Sequence, residues 1–422
     1  MRTNSQSELI AVEADIINNF DQRIDDLPGN ETVQAIRKEA IELFQKTRLP
    51  SRKMEYWHYT NLRVLLKSVS NFSELIDEQQ INPLLPENII FSIQNGKALT
   101  SNKIVGVEVE HLATALDKNS TKINLTISDE NFIGQINTAF VTNGWIFQIA
   151  DNIRLDIPIE LQNIQMGGQS HTFSSIKVGK NSQAVIIERQ IGNDKDTFVS
   201  SVFSLNLAAN SNVTWILICD RGCNTTQFGQ FRAVLAENAE LTLYVINISS
   251  QLNRQEIDIE LLGKKSNFQL RAINLLSGKM HNDLTMTVRH VEEKSVSREI
   301  VRNVVTDKAH GVFQGVIRVA KKAQETDARM ACNSLILSDD AEFDVKPELE
   351  IFADNVTCAH GATVAKLNHD HLFYLMARGI SFKTACELLV KGFISELIDD
   401  IKQDNIHAIL SNIISKWLEK NV

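Results

Sequence analysis

The chain has 422 residues, 43% of them apolar and 23% charged, with a formal net charge of 43 − 52 = −9 at pH 7. This is ample length for a large buried core and an ordinary globular composition, and with only 18 Gly and 6 Pro it excludes collagen-like and Pro-rich or Gly/Ser-rich architectures. The negative balance argues against general nucleic-acid binding, because phosphate contact needs clustered cations, and no apolar run approaches the ~18 residues of a membrane span. The N-terminus, MRTNSQSELIAVEAD, lacks a basic segment followed by an apolar one, and Glu8, Glu13 and Asp15 come early. Neither a secretory signal nor a transit peptide is therefore expected, and the cytoplasm is the expected compartment. The five cysteines (Cys219, Cys223, Cys332, Cys358 and Cys386) are odd in number and irregularly spaced, so they read as reduced thiols and not as a disulfide framework.

Residues 1–87 are predicted to form an N-terminal helical domain. Asn30 can cap a helix in which Val33, Ile36, Ala40, Leu43 and Phe44 recur at helical spacing, leaving Arg37, Lys38, Glu39 and Glu42 for solvent. Pro50 interrupts the pattern, and the region ends in the polar stretch DEQQINPLLPEN.

Residues 88–365 change period. IIFSIQNG, GWIFQIAD, AVIIERQ, TWILICD, LTLYVIN and FQLRAINLL are short, β-branched and often alternating, which are strand signals. No helical pattern separates the strands between about 175 and 345, so a doubly wound sheet does not fit. A turn leading into a strand repeats in KNSQAVIIE, ANSNVTWIL, ENAELTLYV, KKSNFQLRA, EKSVSREIV and KKAQETDAR; its third residues, Ser182, Ser211, Ala239, Ser266, Ser295 and Ala323, lie 29, 28, 27, 29 and 28 apart. A unit of that size with two strand legs is one coil of a two-sided solenoid. The expectation is a right-handed parallel β-helix, the hand following from the crossover rule. An antiparallel sandwich, with turns every 8 to 12 residues, fits less well.

Residues 366–422 are predicted to form a C-terminal helical domain. HDHLFYLMARG ends at Gly379, Ser381 can cap the next helix, and Ala385, Leu389, Phe393, Leu397 and Ile401 fall at i, i+4 spacing. Such helices can cover the edges and apolar side chains left at a solenoid end.

The chain has no Gly-x4-Gly-Lys-Ser/Thr phosphate loop, no Gly-x-Gly-x-x-Gly after a strand, no Gly-x-Ser-x-Gly and no His-Glu-x-x-His. Cys219-x3-Cys223 lacks further ligands nearby and reads as a buried strand thiol and a turn thiol. His369-x-His371 opens a helix, where residues two apart do not share a face. Cys358-Ala359-His360 differs: in an extended segment both donors project to one side, and a thiolate beside an imidazole suits iron or an iron–sulfur unit. Two ligands cannot complete a tetrahedral site, so others must come from elsewhere in the chain or from a partner; the alternative is a structural His beside a small buried Cys.

RLPSRKMEYWHYTNLR (48–63), QINTAF (135–140), AHGVFQGVIRV (309–319), SLILSDDAEFDVKPELEIFADNVTCAHGATVAKL (334–367) and FYLMARGISFKTACELLVKGFISELID (373–399) are similar to the SufD family, the non-ATPase scaffold subunit of the SUF iron–sulfur cluster assembly machinery. The stretch around Lys346–Ile351 and Cys358-x-His360-Gly361-Ala362-Thr363 separates it from the longer paralogue SufB. Arg48 stands where the family's Gly-Leu-Pro turn has glycine. The resemblance implies a parallel β-helix with helical ends, pairing through the β-helix with SufB or with a second copy of itself when isolated, and docking of the ATPase SufC on the C-terminal helices. It implies no stably bound cofactor in the isolated chain and a nascent Fe–S cluster in the complex, held at the SufB–SufD interface by both chains. His360 matches the family's proposed ligand position; Cys358 matches a neighbouring thiol that is either ligand or structural. The stripe Leu389, Phe393, Leu397 and Ile401 offers an apolar face for the partner ATPase. The competing expectation is a β-helix polysaccharide lyase or hydrolase using Asp339, Asp340, Glu342 and Asp344 in a groove; those residues read better as a solvated turn and strand edge.

Overall fold

The computed structural model describes residues 9–73, 78–99, 102–118, 128–399, 401 and 404–422. Within them, consecutive strands from Trp145–Ile149 onward alternate between two sheets, so each hydrogen-bonds to the strand two places on in sequence. One sheet runs from Thr357–Ala365 through Asp327–Ile336, Val296–Val305, Asn267–Leu276, Glu240–Ser249, Asn212–Asp220, Gln183–Gly192 and Ile159–Gln165 to Ile89–Gln94 and Lys97–Ala98. The other runs from Glu342–Ile351 through His310–Val319, His281–His290, Leu252–Leu261, Thr225–Leu235, Thr197–Leu207 and Gly168–Val178 to Trp145–Ile149 and Val107–His111. Pairing is parallel except where Lys97–Ala98 and Val107–His111 close the first coil. This is the two-sided parallel solenoid that the repeat predicts.

The turn chemistry explains the period. Asn181, Asn210, Asn238, Lys265 and Lys294 adopt φ of 55°, 59°, 53°, 56° and 62°, the left-handed region that Asn tolerates best among residues with a Cβ. The next residue, Ser182, Ser211, Ala239, Ser266 or Ser295, is buried under the turn, where only a small side chain fits. On the outside the asparagines form a ladder: Asn181 Nδ2 donates to Asn152 Oδ1 at 2.9 Å, Asn210 to Asn181 at 3.1 Å and Asn238 to Asn210 at 3.0 Å. The last repeat departs: Ala323 stays buried, but the positive φ moves to Glu325.

Strand alternation divides the apolar side chains between three compartments. Trp215, Leu217, Leu243, Val245, Leu270 and Ile257 fill the lumen. Ile216, Ile218, Tyr244, Ile246 and Ile273 point outward from one sheet, under the helices Phe382–Ser395 and Asp404–Asn421. Phe173, Phe198, Phe228 and Leu252 point outward from the other, under the N-terminal helices Ala11–Arg23 and Glu31–Thr47. Strands covered on both faces read as near-continuous apolar runs, as TWILICD does.

The N-terminal helical layer also recruits later chain. Leu112–Asp117 and Phe132–Phe140 join it, and every residue of Phe132–Phe140 is buried between Glu31–Thr47 and the sheet. Arg37, expected in solvent, is fully buried instead. Its guanidinium donates to the carbonyls of Thr138 (3.2 Å), Ala139 (3.0 Å), Pro28 (2.8 Å) and Val141 (2.7 Å), so it satisfies the free C-terminal carbonyls of Phe132–Phe140. A helical period cannot separate a charge facing water from one serving a second helix.

Arg48 ends the helix Glu31–Thr47 at φ 66°, ψ −177°, a region that only glycine occupies without strain. Arg48→Gly is expected to stabilise the protein by about 1 kcal/mol, read as a higher urea midpoint, whereas Arg48→Ala keeps the strain and gains nothing.

Candidate functional site

The strands Glu342–Ile351 and Thr357–Ala365 are the last of their sheets, each paired on one side only. Nearly every residue of Thr357–Ala365 is exposed, Cys358 being the half-buried exception. The register sets Cys358 over Ala328, His360 over Met330 and Ala362 over Cys332. Ala328, Met330 and Cys332 belong to the lumen, and Cys358 packs against the same cluster. Alternation therefore turns His360 to the lumen side as well, but with no coil above it the imidazole is exposed. Phe343, Val345 and Leu349 of the opposite sheet pack on this inner cluster. The open end of the solenoid is thus an apolar mouth with a thiol and an imidazole on one lip.

Burial pushes the Cys358 thiol up from its ordinary value, and the carboxyls of Asp327 and Glu299 add to the shift. It is a neutral thiol at neutral pH, so a metal must displace its proton. Among the described residues no group of three His, Cys, Asp or Glu side chains is placed to hold a metal ion. Cys358 and His360 leave a four-coordinate iron two ligands short. The mouth can contribute donors to a site; it cannot complete one.

The other sequence candidates separate. Cys219 lies in the lumen, its Sγ 3.4 Å from Gln190 Oε1, while Cys223 is exposed, so the two are not a pair. Cys332 is a buried thiol that accepts from Asn303 Nδ2 at 3.4 Å. Cys386 packs with Leu372 and Ala385. His369 and His371 are exposed at the start of the helix His369–Ala377. Asp339, Asp340 and Asp344 pair with Lys366 (2.6 Å), Lys308 (3.4 Å) and His310 (2.8 Å) along the rim, which gives no carboxylate groove. Lys346 on the terminal strand reaches Glu55 at 2.8 Å, tying the rim to the RKMEYW segment.

Packing within the chain takes up part of the stripe expected to face a partner. Leu397 and Ile401 are only 1% and 7% exposed, sealed in the seam between the C-terminal helices and the solenoid wall. Leu389 and Phe393 are half-buried, the latter beneath the Arg302 guanidinium at 5.2 Å. The i, i+4 face serves the chain's own sheet, whose outward apolar residues need a cover. The apolar side chains that remain exposed are Phe373 (75%), Tyr374 (58%) and Met376 on His369–Ala377, with Phe382 and Leu388 on the following helix. The signal for them was present: HLFYLM carries more apolar residues than one buried face uses.

Sequence reasoning also missed Glu299. The register stacks Glu299, Met330 and His360 in one lumen column. Its carboxyl is fully buried, and burial pushes its pKa up to about 8. Below the ordinary carboxylate value both folded and unfolded chains hold this proton. Between there and about pH 8 the unfolded chain releases it and the folded chain keeps it, so stability falls as pH rises through that window. Glu299→Gln is expected to flatten the fall between pH 5 and 8 by on the order of 1–4 kcal/mol. Urea midpoints at both pH values check this; parallel curves for the two proteins reject the assignment.

Two family matches agree with this architecture. Residues 161–393 match "SUF system FeS cluster assembly, SufBD core domain", and residues 11–89 match "SufBD protein N-terminal region". The chain is 26% identical over 385 residues to the iron-sulfur cluster assembly protein SufD of Escherichia coli, covering 87% of this chain and 88% of that protein. It is 21% identical over 407 residues to SufD of Bacillus subtilis, covering 90% and 93%. It is 22% identical over 411 residues to the chloroplastic protein ABCI7 of Arabidopsis thaliana, covering 92% and 86%. A parallel solenoid flanked by helices, a matching core domain and alignments along nearly the whole chain place it in one group: the chain belongs to the SufD family of the SUF iron–sulfur cluster assembly system.

Proposed function

We propose that this chain is a non-catalytic scaffold that pairs its open solenoid end with SufB and docks the ATPase SufC on its C-terminal helices. The carrying observation is the unpaired terminal coil with Cys358 and His360 on its lip. An edge with free backbone donors and acceptors is a template for another strand. A second solenoid seated there completes the hydrogen bonding, buries the apolar mouth and brings further ligands to the two donors. The cluster is cargo, assembled between the chains, and the isolated chain holds none. In the absence of SufB the same edge serves a second copy of this chain. No helix among the described residues is long and apolar enough to cross a membrane, and the reading places the protein in the cytoplasm.

His360 is the ligand to test first. It is exposed at the rim, so its removal leaves the core intact. In the complex with both partners, His360→Ala is expected to lower bound iron and sulfide while melting temperature and subunit stoichiometry stay unchanged. Cys358→Ser should have an equal or smaller effect. Normal iron in an intact His360→Ala complex rejects the ligand role, and joint loss of stability and pairing assigns the imidazole to structure instead.

The ATPase surface in this reading centres on Phe373, Tyr374, Met376 and Phe382, which are more exposed than the partly buried stripe. Phe373→Asp is expected to weaken ATPase binding at least about tenfold, as loss of an exposed aromatic anchor does, with no change in melting temperature. Leu397→Ala makes the contrast: a cavity in the seam costs about 2–4 kcal/mol of stability. Unchanged ATPase affinity in Phe373→Asp removes this helix from the interface.

A further inference from the structure

Arg221 directly follows the strand Asn212–Asp220 and lies within electrostatic reach of Cys219 and Glu188. It is 1% exposed, and its Nε, Nη1 and Nη2 have no hydrogen-bond partner among the described residues. A guanidinium carries five donors in a fixed fork and accepts nothing. Burial pulls its pKa down only to about 10, so it remains a cation at neutral pH.

The surrounding groups do not neutralise it. Glu188 is the nearby carboxyl, but its oxygens are engaged elsewhere: Oε1 accepts from Gln190 Nε2 at 2.7 Å and Oε2 from Trp215 Nε1 at 3.2 Å. Burial also pushes this carboxyl up to about 7, which leaves it only partly ionised. The Cys219 thiol, pushed up to about 12, is neutral. One coil on, the pairing of Asp220 with Ser249 brings Ser250 alongside, and its buried Oγ also has no partner. A fixed positive charge and a hydroxyl donor therefore lie on neighbouring coils at one corner, and neither has an acceptor among the described residues. An uncompensated buried cation costs several kcal/mol, and native folds leave very few such donors unmet.

We propose that the lumen binds a small monovalent inorganic anion at Arg221, between the guanidinium fork and the Ser250 hydroxyl. A single negative charge balances the fork. A large organic anion does not fit within a lumen otherwise filled by packed side chains.

Bromide is the probe. The full chain is purified and crystallised with sodium bromide in place of chloride from lysis onward, and anomalous data are collected at the bromine edge. An anomalous peak in contact with the Arg221 guanidinium is expected. Water alone at that position, or a rearranged Glu188 carboxylate bonded directly to the fork, overturns the proposal. In solution, the protein is expected to melt on the order of 2 °C higher in bromide or chloride than in gluconate at equal ionic strength, because a ligand of the folded state raises its stability by mass action. Arg221→Met should lose that difference. An equal anion dependence in both proteins also overturns the proposal, and if the variant does not fold, the anomalous map decides alone.

Discussion

Parallel pairing in register, coil on coil and interrupted by a bulge between Asn247 and Ser249, is the constraint from which the rest of this molecule follows. Each strand from Ile159–Gln165 to Asp327–Ile336 gives its backbone groups to a neighbour on either side, so equivalent positions stack in columns along the solenoid. A column repeats one backbone environment, and at the turns it repeats one residue type. Small residues lie under one corner, left-handed Asn or Lys sits just before them, and aliphatic side chains recur along the lumen. The same stacking makes the last coil different in kind: its edge groups have no further strand to bond, and its lumen residues have no roof.

The lumen is not uniformly apolar. One column runs Asn163, Gln190, Cys219, Asn247, Asn274, Asn303, Ser334, and its central amides donate coil to coil, Asn247 Nδ2 to Asn274 Oδ1 and Asn274 Nδ2 to Asn303 Oδ1, both at 2.6 Å. A buried amide is tolerated where a partner sits at a fixed distance, and in-register stacking supplies that partner in each coil. Such a ladder also resists a register slip, which would strand every amide at once. Arg221 and Glu299 break the rule. They are ionisable groups in positions where the neighbouring coil offers no complement, and each carries a consequence for binding or for pH that an Asn there would not.

The helical layers follow from outward faces that the coils cannot bury themselves. One sheet needs the C-terminal helices over Ile216, Ile218 and Ile246, and this consumes Leu397 and Ile401. The other needs Phe132, Phe140 and Trp57 over Phe198 and Phe228, and this draws Phe132–Phe140 out of the strand succession and onto the N-terminal helices. After both demands are met, the helix His369–Ala377 still exposes Phe373 and Tyr374.

Local patterns made much of this legible in the sequence. The 27- to 29-residue spacing of Ser182 through Ala323 encodes the coil, because one turn needs a left-handed residue and a small one, and those types recur wherever the turn does. The Cys358-x-His360 spacing in an extended segment sets both donors to one side, since strand alternation is a property of the backbone. The tertiary structure alone decided which side is the lumen, and that no later coil covers it. It alone decided that Arg37 faces a second helix end instead of water, that Leu397 and Ile401 face the sheet, and that Glu299 stands two strands below His360. The reason is common to all of these. Periodicity specifies a face, but what meets that face is settled by packing between segments far apart in the chain, and no window of local sequence contains both partners.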